Sequence, residues 1–134
     1  MFRKLNLAME TITEDYVSFE TAKLLKEKGF DSYPLFPCYK EDNGKFIECP
    51  TTLDTINYSF IPAPTIQRAM KWLRKVHNLY INIWADPKDV ENNNFNTIFR
   101  AQVYNGNSNY GTSEYSTYED AAEAAIKYCL DNLI

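Results

Sequence analysis

Apolar residues recur at helical spacing in three segments of the chain. The clearest stripe follows Thr65 and predicts a helix that ends at His77-Asn78; its apolar members are Ile66, Ala69, Met70, Leu73 and Val76. Another helix is predicted to begin at Ser18, whose side chain can cap the first turn, and to end at Gly29. The last predicted helix begins at Thr117 and is rich in alanine.

Alternation of side chains with a period of two predicts strands between the second and third helices. Residues 79–85 alternate in this way, and Asp86-Pro87 is expected to close the strand. After a polar loop at 92–96, residues 97–104 alternate again. A turn region at 105–111 then leads to a short third strand at 112–115.

A hairpin is predicted between the first two helices, because Asn43-Gly44 separates two extended segments. If these two residues form the turn, paired residue numbers sum to 87 and Cys38 lies opposite Cys49. We interpret this pair first as two buried thiols. A redox-sensitive crosslink and a metal site are the alternatives, and the metal would need two further ligands.

These elements predict an α+β fold in the order helix, hairpin, helix, two or three strands, helix. About three helices would pack on a small, mostly antiparallel sheet. The length of 134 residues fits a single domain, residues 1–134. The sequence has no apolar stretch of the length that a membrane helix needs, no signal-peptide pattern and three cysteines, so we expect a cytoplasmic protein.

The net charge of −4 argues against a general polyanion binder, but the second helix gathers cations opposite its apolar stripe. These candidate contacts to phosphates or to an acidic partner, within helix 65–77, are Arg68, Lys71, Arg74 and Lys75. The alternative is a solvated helix face whose long side chains cover the edge of the core.

Groups that could perform catalysis or bind a metal are scattered. The single histidine, His77, is expected to cap a helix or lie on the surface. Glu119, Asp120 and Glu123 share a helix face that could bind a divalent ion, although a solvated first turn is the favoured interpretation. We therefore predict no catalytic, cofactor or metal site, and a protein that is not an enzyme.

Exposed aromatic residues on the predicted strands and loops are the candidate protein contacts, namely Tyr80, Trp84, Tyr104 and Tyr110. The alternative is that these rings pack between sheet and helix. The interpretation that we favour is a binding module whose partner is a protein rather than nucleic acid. The competing interpretation is a nucleic-acid-binding accessory protein that uses helix 65–77. Self-association into a homo-oligomer is a further option.

Two resemblances extend this interpretation. Residues 18–30, the segment from Pro64-Thr65 to Arg74, and "YSTYEDAAEAA" at 115–125 resemble short uncharacterised proteins of gut bacteria, their phages and mobile elements. This resemblance spans most of residues 16–134 and implies no assigned activity. Residues 97–130 are similar to AP2-like and integrase arm DNA-binding domains, in which a three-stranded sheet enters the major groove and an Ala-rich helix backs it. Here that sheet offers only Arg100 and Lys88 as cations.

Overall fold

The computed structural model describes residues 14–31, 37–48, 59–90, 94–111 and 113–134. In this part of the chain three helices and six strands follow one another: α1 Phe19–Glu27, β1 Cys38–Lys40, β2 Phe46–Ile47, β3 Phe60–Pro62, α2 Ile66–His77, β4 Tyr80–Val90, β5 Asn94–Tyr104, β6 Asn109–Gly111 and α3 Tyr118–Asn132. The predicted α+β class is confirmed. The strands form two antiparallel three-stranded sheets, in the orders β2–β1–β3 and β4–β5–β6.

Helix α3 lies at the centre of the fold. It packs against β4 and β5 on one side and against α1 and α2 on another. Its buried residues are mostly small, and they extend round two sides of the helix: Ala121, Ala122, Ala125, Ile126, Cys129 and Leu130. Small side chains let neighbouring backbones approach closely, so one helix is covered by a sheet and two other helices.

Helices α1 and α2 begin and end where the sequence predicts. The hydroxyl of Ser18 accepts from the Thr21 N–H, and the hydroxyl of Thr65 accepts from the Arg68 N–H. Gly29 follows α1 with a φ of 97°. The Phe30 N–H donates to the Leu25 carbonyl and the Gly29 N–H to the Lys26 carbonyl, which are the two hydrogen bonds of a Schellman motif. Asn78 ends α2 in the left-handed conformation, with φ of 58°.

The β1–β2 hairpin forms, but the predicted register is wrong by two residues. Cys38 lies opposite Ile47, and Tyr39 lies opposite Phe46. A two-residue turn of type I′ would need positive φ at both central residues, and only Gly44 has it. The loop is longer instead: the Gly44 N–H donates to the Lys40 carbonyl at 2.8 Å, and Lys40 donates to the Lys45 carbonyl at 2.9 Å. Cys49, the predicted partner of Cys38, lies outside the described residues.

The β4–β5 hairpin is longer than predicted. Strand β4 continues through Asp86-Pro87, where the sequence analysis ended it, and β5 begins at Asn94 inside the predicted polar loop. Pro87 is tolerated because β4 is an edge strand, which hydrogen-bonds to a neighbour on one side only. The third strand lies at 109–111 rather than 112–115, and Tyr115 forms a single bridge with Phe99.

No helix within the described ranges is long and apolar enough to cross a membrane.

Packing around α3 generates a first prediction. Ala122 is fully buried, whereas Ala124 on the same helix is half-buried. We expect Ala122→Leu to lower the free energy of unfolding by about 1–3 kcal/mol, because the added carbons must displace neighbours in a close-packed interior. Ala124→Leu makes the same change in helix propensity, so it should lower the free energy of unfolding clearly less. Urea denaturation followed by circular dichroism measures both, and equal losses would contradict the central packing of α3.

The hairpin loop generates a second prediction. A Cβ added at Gly44 would lie 2.8 Å from the Phe19 Cδ2 atom, and φ there is 71°. We expect Gly44→Ala to lower the free energy of unfolding by about 1–3 kcal/mol. Gly29→Ala is the matched control, since its φ is 97° but its Cβ would meet nothing within 4 Å. Urea denaturation should show a smaller loss for Gly29→Ala; a neutral Gly44→Ala would argue against this loop geometry.

Candidate interaction surfaces

One face of the β4–β5–β6 sheet packs against α3, and the opposite face has exposed side chains. Directly paired residues point to the same side of a sheet, and the side alternates along each strand. The register therefore divides β4 and β5 cleanly. The inner side has Ile81, Ile83, Ala101 and Val103, with Ala101 and Val103 buried. We call the other side the open sheet face; it comprises Tyr80, Asn82, Trp84, Arg100, Gln102 and Tyr104.

The open sheet face has three exposed aromatic side chains. Tyr80 and Tyr104 are direct cross-strand partners, and their exposed fractions are 44% and 47%. Trp84 lies four residues further along β4 on the same side of the sheet, beyond the Asn82–Gln102 pair, and is 37% exposed. The Tyr80 hydroxyl donates to the Asn78 side chain at 3.0 Å, and the Tyr104 hydroxyl donates to the Gly106 carbonyl at 3.3 Å. These bonds orient the two rings while leaving much of each exposed.

The two cations of this sheet are paired with carboxylates. Arg100 bonds Asp86 at 3.2 Å and Glu114 at 2.8 Å, and Lys88 bonds the other oxygen of Glu114 at 2.7 Å. The hydrogen bond from Lys88, together with Arg100, holds the pKa of Glu114 below its usual range. The network has two positive and two negative groups. The open sheet face is therefore aromatic without excess positive charge.

Tyr110 does not belong to this surface. It pairs with the buried Val103, so it points to the inner side, where its ring lies 5.6 Å from that of Tyr128 on α3. Of the four aromatic contacts predicted from the sequence, the structure thus places three on one exposed face. Tyr110 follows the alternative that the sequence analysis left open, packing between sheet and helix.

The second surface is a groove of about 550 Å³ along the exposed side of α2. We call it the basic groove. Three of the four predicted cations line it, namely Arg68, Lys71 and Lys75; Arg74, which is also exposed, does not. Its apolar lining comprises Phe30, Trp72 and Val76. The helical spacing predicts Val76 as part of the apolar stripe, but Val76 is 60% exposed because it lies at the edge of that stripe in the last turn.

The cations of α2 are unpaired within the part of the chain that the structure describes. The ion pairs there involve Lys88, Arg100 and Lys127 instead. Asp31 lines the basic groove, but its carboxylate forms none of these pairs. The cations follow from the sequence, but the apolar lining of the groove does not, because nothing in the local pattern brings Phe30 beside α2. The Phe30 and Trp72 rings meet edge to face, 5.5 Å between centroids.

The remaining candidate groups are separated from one another. The His77 ring packs on the Trp72 ring with 4.7 Å between centroids, and its buried Nε2 has no hydrogen-bond partner among the described residues. Asn78 rather than His77 caps the helix. Glu123 accepts from the Ser18 N–H at 2.8 Å, while Glu119 and Asp120 are exposed. Across the described ranges, no group of three or more His, Cys, Asp or Glu side chains could hold a metal ion.

Cys38 and Cys129 are free, buried thiols. Burial raises the pKa of Cys38, and it raises the pKa of Cys129 to about 12. The thiolate is the nucleophile and the metal ligand. Both groups therefore remain protonated at neutral pH and act as small apolar side chains, as Cys129 does within the buried side of α3.

No protein-family model, curated protein or solved structure matches this chain. The two resemblances stated from the sequence therefore stay predictions.

The buried thiol of Cys129 generates a third prediction. Its pKa in the folded protein is about 12, against an ordinary value of 9.0. Between these values the folded protein keeps a proton that the unfolded chain loses. The free energy of unfolding should therefore fall as pH rises from 9 towards 12. Urea denaturation across this range should show a steeper fall for the wild type than for Cys129→Ala; parallel slopes would contradict the burial of an ionisable thiol.

Proposed function

We propose that this protein is a non-catalytic binding module whose open sheet face contacts another protein. One observation carries the proposal: Tyr80, Tyr104 and Trp84 are all exposed on the same face of two paired strands, and Tyr80 and Tyr104 are direct cross-strand neighbours. Tyr and Trp are enriched among residues that dominate binding energy, because they supply much contact area at low entropic cost. A rigid sheet with α3 packed behind it presents these rings without a folding step.

The pairing of charges favours a protein over nucleic acid as the partner of this face. Nucleic-acid binding depends on cations that neutralise phosphates. Arg100 and Lys88 are already held by Asp86 and Glu114. A phosphate would have to compete with both carboxylates. The aromatic rings, by contrast, need only an apolar partner surface with hydrogen-bond acceptors or donors at its rim.

Two further features support a binding role without catalysis in a reducing, cytoplasmic compartment. His77 contacts Trp72 rather than a nucleophile. The two described cysteines are buried and unpaired, which suits a protein kept in the reduced state. The origin in phages or mobile elements, which the sequence resemblance implies, agrees with a small accessory module and is part of the same proposal.

A photo-crosslinking experiment tests this function. Benzoylphenylalanine replaces Trp84 or Tyr104 in turn, and the exposed Asp131 on α3 serves as the control position. In lysate of the source organism, positions 84 and 104 should give the same discrete protein adduct, resistant to nuclease, and position 131 should not. The partner is then purified, and its Kd is measured by calorimetry.

Tyr104→Ser should raise that Kd by about tenfold or more, since interface tyrosines often contribute over 1 kcal/mol each. Asp131→Ser is the matched control and should leave the Kd unchanged. Circular dichroism verifies that each variant folds, as expected for exposed side chains. Adducts with nucleic acid, adducts equally strong at position 131, or none at all would refute the proposal.

A further inference from the structure

The basic groove on α2 has features that the open sheet face lacks. Its cations are free of ion pairs within the described residues, and they lie beside exposed apolar surface. A volume of about 550 Å³ accommodates a few side chains of a partner rather than a whole element of structure. We propose that this groove binds an acidic amphipathic helix of another protein, a site separate from the open sheet face.

The spacing of the cations argues for a helical ligand. Arg68, Lys71 and Lys75 are three and then four residues apart on α2, so they form one row along about two turns. A helix that lies along this row presents carboxylates at the same period when its Glu or Asp residues are also three and four apart. Helices recognised in grooves are bound through such anchors.

The apolar lining of the basic groove favours an amphipathic ligand over a purely charged one. Val76 is 60% exposed at the end of the row, and Trp72 is half-buried next to it. Burying a leucine or a similar side chain against them removes apolar surface from water. Charge pairing then selects the partner, and apolar burial adds affinity at one defined position.

The charge distribution favours an acidic peptide over nucleic acid. Nucleic-acid affinity grows with the number of phosphates that cations neutralise, and this groove offers three cations. The whole chain has a net charge of −4 despite these cations, so a long polyanion leaving the groove meets an acidic surface. A short acidic helix is neutralised within the groove and avoids that repulsion.

Fluorescence anisotropy with labelled probes tests the inference. The probe is a designed helical peptide with Glu spaced three and four apart on one side and Leu beside them. The control peptide has Gln for every Glu, and a single-stranded oligonucleotide of equal length is the competing ligand. We expect binding of the acidic peptide that weakens with added salt, and at least about tenfold weaker binding of the other two probes.

Variants of α2 locate the site. Lys71→Glu should weaken binding of the acidic peptide by about tenfold or more, because it places a like charge in the groove. Arg74→Glu is the matched control, with the same change of charge on the same helix but outside the groove, and should weaken it by less than about threefold. Val76→Ser should also weaken binding while leaving the slope of affinity against salt concentration unchanged.

Each opposing result overturns the inference. No binding of the acidic peptide, equal effects of Lys71→Glu and Arg74→Glu, or tighter binding of the oligonucleotide would each do so; the last would favour the nucleic-acid interpretation of helix 65–77. The variants change only exposed side chains, and circular dichroism verifies their folding. None of these residues belongs to the open sheet face, so a negative result here leaves the proposed function of that face untouched.

Discussion

The fold depends on the close packing of α3 between a sheet and two helices. Ala121, Ala122 and Ala125 are fully buried, and their small size lets the neighbouring backbones approach. Because α3 covers only the inner side of the β4–β5–β6 sheet, aromatic side chains on the other side remain exposed. Because α2 packs its apolar side towards this core, its cationic side faces solvent. The positions of both candidate surfaces therefore follow from the packing of one helix.

The two surfaces differ in how their charges are satisfied, and this difference suggests different partners. On the open sheet face, Arg100 is held by Asp86 and Glu114, so its charge is balanced within the protein. On α2 the cations are free of ion pairs among the described residues, and charge remains available to a ligand. An aromatic face whose charges are paired suits contacts that bury apolar area. A groove whose cations are unpaired suits recognition of an acidic segment.

Several details could not be predicted because they depend on residues distant in sequence. Asn43-Gly44 favours a two-residue turn by local preference, but the observed loop brings Gly44 against Phe19 on α1. Asp86-Pro87 is a typical strand end, yet pairing with β5 continues past it on an edge strand. The exposed aromatic pattern included Tyr110, whose inner position is decided by its pairing with Val103. In each case a tertiary contact overrides a weaker local preference.

The sequence by itself determined the three helices, their caps at Ser18, Thr65 and Thr117, and the α+β class, because helical periodicity and capping act within a few residues. It also identified the cations of α2 and the exposed rings of β4 and β5. Only the tertiary structure decided that Glu114 and Asp86 neutralise the sheet, and that Phe30 lies beside Trp72 to form a groove. Ion pairing and groove formation require side chains that are far apart along the chain to meet. Local sequence patterns do not specify which distant residues come into contact.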